Sequence, residues 1–254
     1  MRTLFADEMK RLNLRFGEMG INTSEQIYRA SKSYAEHDKE LAKKVIEGDS
    51  RINDEEISLE NEALELMALQ QPMAGDFRRI ITALKASSDL ERVGDYAASI
   101  ARETIRVKGN ERIPEVEEKI SEITVVVRNM MENFLDAYAR DDIELAKKTA
   151  KMDLEVDLMY YQTQKLILGA MQRQTSIAVA ALSYLSVVRD LERIGDHIVN
   201  LAEWVVYRRD GKLVELNPGK IDRDIVEKVN DGEKLDSSEK KMLKEAEEAA
   251  QLNQ

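Results

Sequence analysis

The chain has 254 residues, 43% of them hydrophobic, with 38 Lys and Arg against 49 Asp and Glu for a formal charge of −11, three prolines and no cysteine. A charge of that sign repels a phosphate backbone and argues against nucleic acid as a partner, while the missing thiols exclude disulfides, iron–sulfur clusters, thiolate zinc sites and a cysteine nucleophile. No apolar run approaches the ~20 residues that a bilayer span needs, and Met1 to Gly20 is charged rather than signal-like, so the expectation is a cytoplasmic protein.

In chain order, apolar residues recur at three- and four-residue spacing in six blocks, about 3–34, 39–70, 73–108, 115–139, 142–173 and 176–208. The first block ends at His37-Asp38, with His37 read as a cap or surface residue. The second ends at Gln71-Pro72, and the third runs to Gly109-Asn110, after which Pro114 opens the fourth. Asp141-Asp142 and Gln174-Thr175 mark the last two breaks. At 1.5 Å per residue, thirty residues make a rod of roughly 45 Å, so these are bundle helices, and their short connections make neighbours antiparallel. Met9, Met19, Met67, Met130, Met131 and Met159 fall in the aliphatic rows as core filler. After Lys220 come ten acids against six bases, ending in an amphipathic run from Glu239 to Gln254. It reads as an appended terminus, solvated and partly helical or disordered, with a partner-docking helix as the alternative.

The blocks repeat. Ser88-Asp-Leu-Glu-Arg-Val-Gly-Asp95 returns as Arg189-Asp-Leu-Glu-Arg-Ile-Gly-Asp196, an offset of 101 (189 − 88). Ala42-Lys-Lys-Val-Ile-Glu-Gly-Asp49 aligns with Ala146-Lys-Lys-Thr-Ala-Lys-Met-Asp153 at an offset of 104 (146 − 42), which sets Asn53 opposite Asp157. Two matches in the same order with different spacers imply duplication of a three-helix unit. The expected architecture is all-α: two pseudo-symmetric three-helix bundles, residues 1–110 and 111–215, six long antiparallel helices in total, followed by an acidic extension over 216–254.

Acids interrupt the apolar faces of the repeated helices. At 100° per residue, Ile52, Leu59, Ala63 and Leu66 form one apolar row of the second helix and Ile46, Ile57 and Leu64 another, with Asp49, Asn53, Glu56 and Glu60 between them. Asp153, Asp157, Tyr160 and Gln164 are flanked in the same way on the fifth helix. Ile80 and Leu84 continue into Glu91 and Asp95 on the third, and Leu185 into Glu192 and Asp196 on the sixth. Carboxylates four residues apart repel one another, and more so when partly buried. Protonation, an arginine or a bridging cation can offset that cost. Arg92 lies three residues after Asp89 and Arg193 three after Asp190, so each arginine is expected to pair there and leave the Glu–Asp pair free for a metal. Gly94 and Gly195 interrupt helices where a neighbouring helix is expected to approach closely. His197 is a further nitrogen donor beside Asp196. No phosphate-cradling loop, Glu-x-x-His pair or His-Glu-x-x-His motif occurs.

The two copies Asp89-Leu-Glu-Arg-Val-Gly-Asp95 and Asp190-Leu-Glu-Arg-Ile-Gly-Asp-His197, the opening Met1-Arg-Thr-Leu-Phe, the Leu12-to-Met19 stretch and Met73-Ala-Gly-Asp-Phe-Arg-Arg-Ile-Ile resemble the PhoU family over about residues 1–215. The resemblance implies a pseudo-symmetric six-helix fold with multinuclear iron or zinc clusters held by paired acid-x-x-x-acid motifs. Those motifs map onto Asp49, Asn53, Glu91 and Asp95 in the first bundle and Asp153, Asp157, Glu192 and Asp196 in the second. Asn53 replaces a carboxylate, so the first site should bind a cation more weakly. The resemblance further implies negative regulation of phosphate uptake and phosphate-starvation signalling, through the ATPase subunit of a phosphate ABC transporter and a sensor histidine kinase, with membrane association only through those partners and homodimerisation left open. A metal-dependent enzyme on a helical bundle and a metal-free scaffold whose acids are salt-bridged are the competing readings.

Overall fold

The computed structural model describes residues 2–107 and 109–216, with isolated positions 228, 237, 240, 241 and 244 beyond them. Among these residues there are six α-helices and no strand: α1 Arg2–Glu36, α2 Lys39–Gln70, α3 Ala74–Val107, α4 Pro114–Arg140, α5 Ile143–Arg173 and α6 Ala178–Asp210, with a 3₁₀ turn Thr175–Ile177 before α6. The expected acidic extension lies almost wholly outside the described residues.

Local chemistry sets the helix ends where the sequence places them. Asp38 caps α2 by accepting from the Glu40 and Leu41 amides, and Asp142 caps α5 by accepting from Glu144 and Leu145, all at 3.0 Å. The same cap thus recurs in both repeats. Pro114 stands at the first turn of α4, where its missing N–H costs nothing. Gly211 ends α6 at φ 71°, a conformation glycine adopts without a Cβ penalty. His37, Gln71 and Asp141 take left-handed backbone at the α1–α2, α2–α3 and α4–α5 turns.

Helices α1, α2 and α3 pack as one bundle and α4, α5 and α6 as the other. The two join chiefly along α3 and α6, with α1 against α4. A continuous apolar core runs through both, and Leu12, Phe16, Ile52, Leu90, Phe134 and Tyr184 are among its fully buried members. Phe16 of α1 meets Phe134 edge-on and lies 4.3 Å, centroid to centroid, from Tyr138, so aromatic packing from α4 closes the second seam. Met9, Met19, Met130 and Met131 are buried, and Met67 and Met159 pack against the core from its edge, as expected of filler. One expected apolar row is buried only at its start, where Ile46 packs against the core. Ile57 and Leu64 are more than half exposed, because α2 packs its other sides against α1 and α3 and, among the described residues, turns this one to solvent.

The ends of the bundles are tied by polar networks. Glu117, at the start of α4, accepts two hydrogen bonds of 3.0 Å from Arg112 Nε and a further one from Arg112 Nη2. It also accepts one of 2.7 Å from Tyr184 Oη of α6 and lies 3.1 Å from His37 Nε2. His37 is therefore a tie between the α1–α2 turn and the second bundle rather than a simple cap. At the opposite end Arg208 stacks over the Tyr138 ring, and its Nε stands 3.1 Å from Asp141 Oδ1.

Candidate functional site

The duplicated acids occupy two facing pairs of helices, α2 with α3 and α5 with α6. In the first bundle Asp49 is buried. Gln26 Nε2 donates to its Oδ1 at 3.3 Å, and Arg102 Nη2 stands 3.6 Å from its Oδ2. Burial pushes the Asp49 carboxyl above the ordinary aspartate range, the Asp95 charge adds to that, and Arg102 and Gln26 oppose it. Glu91 is raised in the same way, first by burial, then by Asp95 and Glu56, with Arg92 opposing. The mutual effects bring Asp49, Glu91 and Asp95 into one electrostatic group. They also add Glu56, whose Oε1 accepts from Ser88 Oγ at 2.7 Å. Asn53 Oδ1 is shut from solvent and has no hydrogen-bond donor.

The second bundle buries its acids more deeply. Asp153 and Asp157 are at most 2% exposed, and Glu192 is also buried. Gly195 makes this possible, since a Cβ there would lie 2.5 Å from Asp153 Oδ1, whereas one on Gly94 would meet only Ile52 side-chain carbons at 3.2 Å and beyond. Both glycines therefore mark close helix approach, and one of them admits a carboxylate. Tyr160 has its phenol raised by burial and then by Glu192, and it accepts from Gln164 Nε2 at 2.6 Å.

The arginines correct one expectation. Arg92 pairs forward with Asp95 at 3.2 Å and approaches Glu91 at 3.7 Å, and Arg193 pairs with Asp196 at 3.3 Å and Glu192 at 3.5 Å. Neither holds the aspartate three residues before it. Asp89 is taken across the interface by α6, through His197 Nδ1 at 2.8 Å, Asn200 Nδ2 at 3.1 Å and Trp204 Nε1 at 3.3 Å. His197 is thus committed to Asp89 and to the Tyr96 ring, whose centroid lies 5.8 Å away. Asp190 is buried and bonded to the neighbouring Arg189 at 3.2 Å. Burial raises its carboxyl, and Ser99 and Arg189 oppose the rise.

For the iron or zinc cluster implied by the resemblance, the donor set is chemically suitable. Hard oxygens dominate, Asn53 Oδ1 lacks a donor, and Gly195 makes room for a carboxylate. Among the described residues, however, no three acid or imidazole groups are arranged to hold a metal ion. No described helix is long and apolar enough to cross a membrane. An open groove of about 460 Å³ between α1 and α2 is lined by residues such as Arg15, Asn22, Arg51 and Glu55, apart from the paired acids.

Comparison with known proteins explains the duplication. The family described as PhoU domain matches twice, over residues 16–104 and 120–205. The chain belongs to the PhoU family. A phosphate-specific transport system accessory protein PhoU homolog from Streptococcus pneumoniae is 34% identical over 217 residues, 85% of this chain and 100% of that protein. A PhoU homolog of the same description from Clostridium acetobutylicum is 33% identical over 85% of this chain and 99% of its own length. Among solved structures, the phosphate transport system regulatory protein PhoU from Streptococcus pneumoniae superposes with a TM-score of 0.78 at 32% identity, over 83% of this chain and 99% of that one. PhoU from Pseudomonas aeruginosa gives 0.79 at 32%, over 82% and 100%. The all-α duplicated fold is that of PhoU, and the family is one of regulatory accessory proteins rather than enzymes.

Proposed function

We propose that this PhoU-family chain is an accessory regulator of phosphate-specific transport that acts in the cytoplasm. In this reading it restrains uptake and starvation signalling by contacting the transporter's ATPase subunit and a phosphate-responsive sensor histidine kinase. The double PhoU match across most of the chain carries the reading, and the full-length correspondence with accessory-protein relatives supports it. Recovery of tagged full-length protein from phosphate-replete cells should bring down that ATPase subunit and that kinase. Recovery of neither overturns the adaptor reading.

Within it, Asp49, Asn53, Glu56, Glu91 and Asp95 would hold a cation on the first bundle, and Asp153, Asp157, Glu192 and Asp196 on the second. A bound iron or zinc would supply positive charge that relieves the repulsion among these acids. One observation favours the metal-free alternative: Arg92 and Arg193 already lie across the Glu–Asp pair of their own helices. Both arginines are at least half exposed and can swing away at little cost. Elemental analysis of protein purified without chelator separates the two. Iron or zinc that is lost on Asp153→Asn with Asp157→Asn supports the metal site, and metal-free protein supports the scaffold.

A further inference from the structure

The two acid clusters differ in one oxygen donor besides Asn53. The 104-residue offset that aligns Asp49 with Asp153 sets Glu56 of α2 opposite Tyr160 of α5. Asp49, Asn53 and Glu56 recur at spacings of four and three, and so do Asp153, Asp157 and Tyr160, which puts each trio on one side of its helix. Glu56 belongs to its cluster: Oε1 accepts across the helix pair from Ser88 Oγ of α3 at 2.7 Å, one turn before Glu91. After burial and Asp95, its charge is the next to raise the Glu91 carboxyl.

Tyr160 takes the same place against α6. Ser88 corresponds to Arg189 at the 101-residue offset. Apart from burial, the charges that act on the Tyr160 phenol are those of Glu192, Arg189 and Arg193, all on α6. The ring is partly buried, packs against the core and has Tyr161 beside it, 5.2 Å between centroids. Two turns earlier α5 comes close against α6, where Gly195 leaves the space that Asp153 Oδ1 fills. One turn further on, Gln164 Nε2 donates to the phenol oxygen at 2.6 Å. No three acid or imidazole groups among the described residues are arranged to hold an ion, and Tyr160 is an oxygen donor outside that set.

We infer that the second cluster binds iron as iron(III), with Tyr160 Oη as a ligand beside the acids of α5 and α6, and that Gln164 positions the phenolate. The inference rests on the metal reading proposed above and adds to it a donor and an oxidation state. On binding, the phenol O–H bond breaks, the proton passes to solvent and an oxygen electron pair forms the bond to iron. The metal enters as iron(III), so nothing is oxidised or reduced. Phenolate is a hard, charged oxygen ligand of a kind that holds iron in one class of haem proteins. The Gln164 amide acts as outer hydrogen-bond partners of metal ligands do, fixing the orientation of the group that binds. The first cluster has a carboxylate in place of this phenol.

Phenolate bound to iron(III) absorbs in the visible by charge transfer, and excitation in that band enhances tyrosine ring vibrations in the Raman spectrum. Carboxylates give no ring modes. Chelator-treated full-length protein, loaded with iron(III) as ferric citrate and freed of excess by gel filtration, should show both signals. Tyr160→Phe should lose both completely, whereas Tyr161→Phe and Glu56→Gln should keep them. Gln164→Leu should keep the band but move it to longer wavelength, since the phenolate loses an N–H donor. Circular dichroism confirms that each variant is folded. Iron retained without the band, a band that survives Tyr160→Phe, or one lost instead with Tyr161→Phe overturns the inference and leaves the metal reading standing. No iron retained overturns both. A band unmoved by Gln164→Leu removes the role given to Gln164. The wild-type spectrum alone can overturn the inference, so it stays open to refutation even where Tyr160→Phe fails to fold.

Discussion

Glu117→Gln tests the tie that holds the bundles together at the α1–α2 turn. The wild-type carboxylate is mostly buried and receives Arg112, Tyr184 and His37. Burial alone pushes Glu117 upward, but hydrogen bonds from Arg112 and Tyr184 and the charges of Arg112 and His37 outweigh it, leaving the carboxyl below its ordinary value of 4.5. Hydrogen bonds to a charged group contribute about 1.5–3 kcal/mol. Arg112 is half exposed, so its share is discounted toward the low values of surface pairs. The amide keeps the shape and one acceptor, which leaves an expected loss of about 2 kcal/mol, or roughly 4–8 °C in melting temperature for a chain of this size. Since the folded value is depressed, the carboxylate's contribution is complete above the ordinary value and is lost as pH falls through the folded one. The gap between wild type and variant should therefore be full at pH 7, shrink below about pH 4.5 and close under more acid conditions. Thermal melts followed by circular dichroism across that range measure it. A gap under about 0.5 kcal/mol at pH 7, or one that persists unchanged into acid, would refute the charge-based account.

Gly195→Ala should cost about 1–3 kcal/mol, because the new Cβ meets a buried Asp153 oxygen that cannot retreat into solvent. Gly94→Ala should be close to neutral, the gain of about 1 kcal/mol in helix propensity offsetting a mild push on Ile52, and equal losses from the two in denaturant titrations would contradict this contrast. Glu91→Gln should stabilise the chelator-treated protein at pH 7 by on the order of 1 kcal/mol, since a carboxylate raised by burial and by Asp95 opposes folding when ionised. The sign follows from the raised folded value: the advantage should vanish as pH drops below the ordinary carboxylate range, and a destabilised variant at pH 7 would show that Arg92 dominates instead. Asp89→Asn should lower stability by about 2 kcal/mol, because it weakens three donors from α6 at the main seam between the bundles, and a melt unchanged within 1 °C would remove that role.

The sequence made the helices and their repeat legible because both are written in local code. Six apolar periods, the acids at Asp38 and Asp142 and the proline at 114 each act within one or two turns. The partners of the arginines are not local. Arg92 lies three residues after Asp89 and three before Asp95, so helix periodicity permits either pairing, and the choice is made by His197, Asn200 and Trp204 more than a hundred residues away. The same holds for Glu117. Nothing in the sequence separates it from Glu115 and Glu118 on either side, and only the arrival of His37 and Tyr184 from other helices marks it. Ile57 and Leu64 mislead for the opposite reason, since a periodic apolar row says which side of a helix can be buried but not whether a neighbour is there to bury it.

Duplication also leaves a comparison inside one molecule. Both halves keep the Glu-Arg-x-Gly-Asp run, the aspartate caps and the glycine at the close approach, so those features serve the fold that each half must form. The halves part at Asn53 against Asp157 and at Arg102 against Glu203. Both changes make the second face more negative, by two carboxylates gained and one guanidinium lost. A buried concentration of like charge is a cost to folding that drift would tend to relieve. The two halves meet that cost differently: the first sets Arg102 beside Asp49 and leaves Asn53 Oδ1 without a donor, whereas the second turns Glu203 to the Leu216 amide.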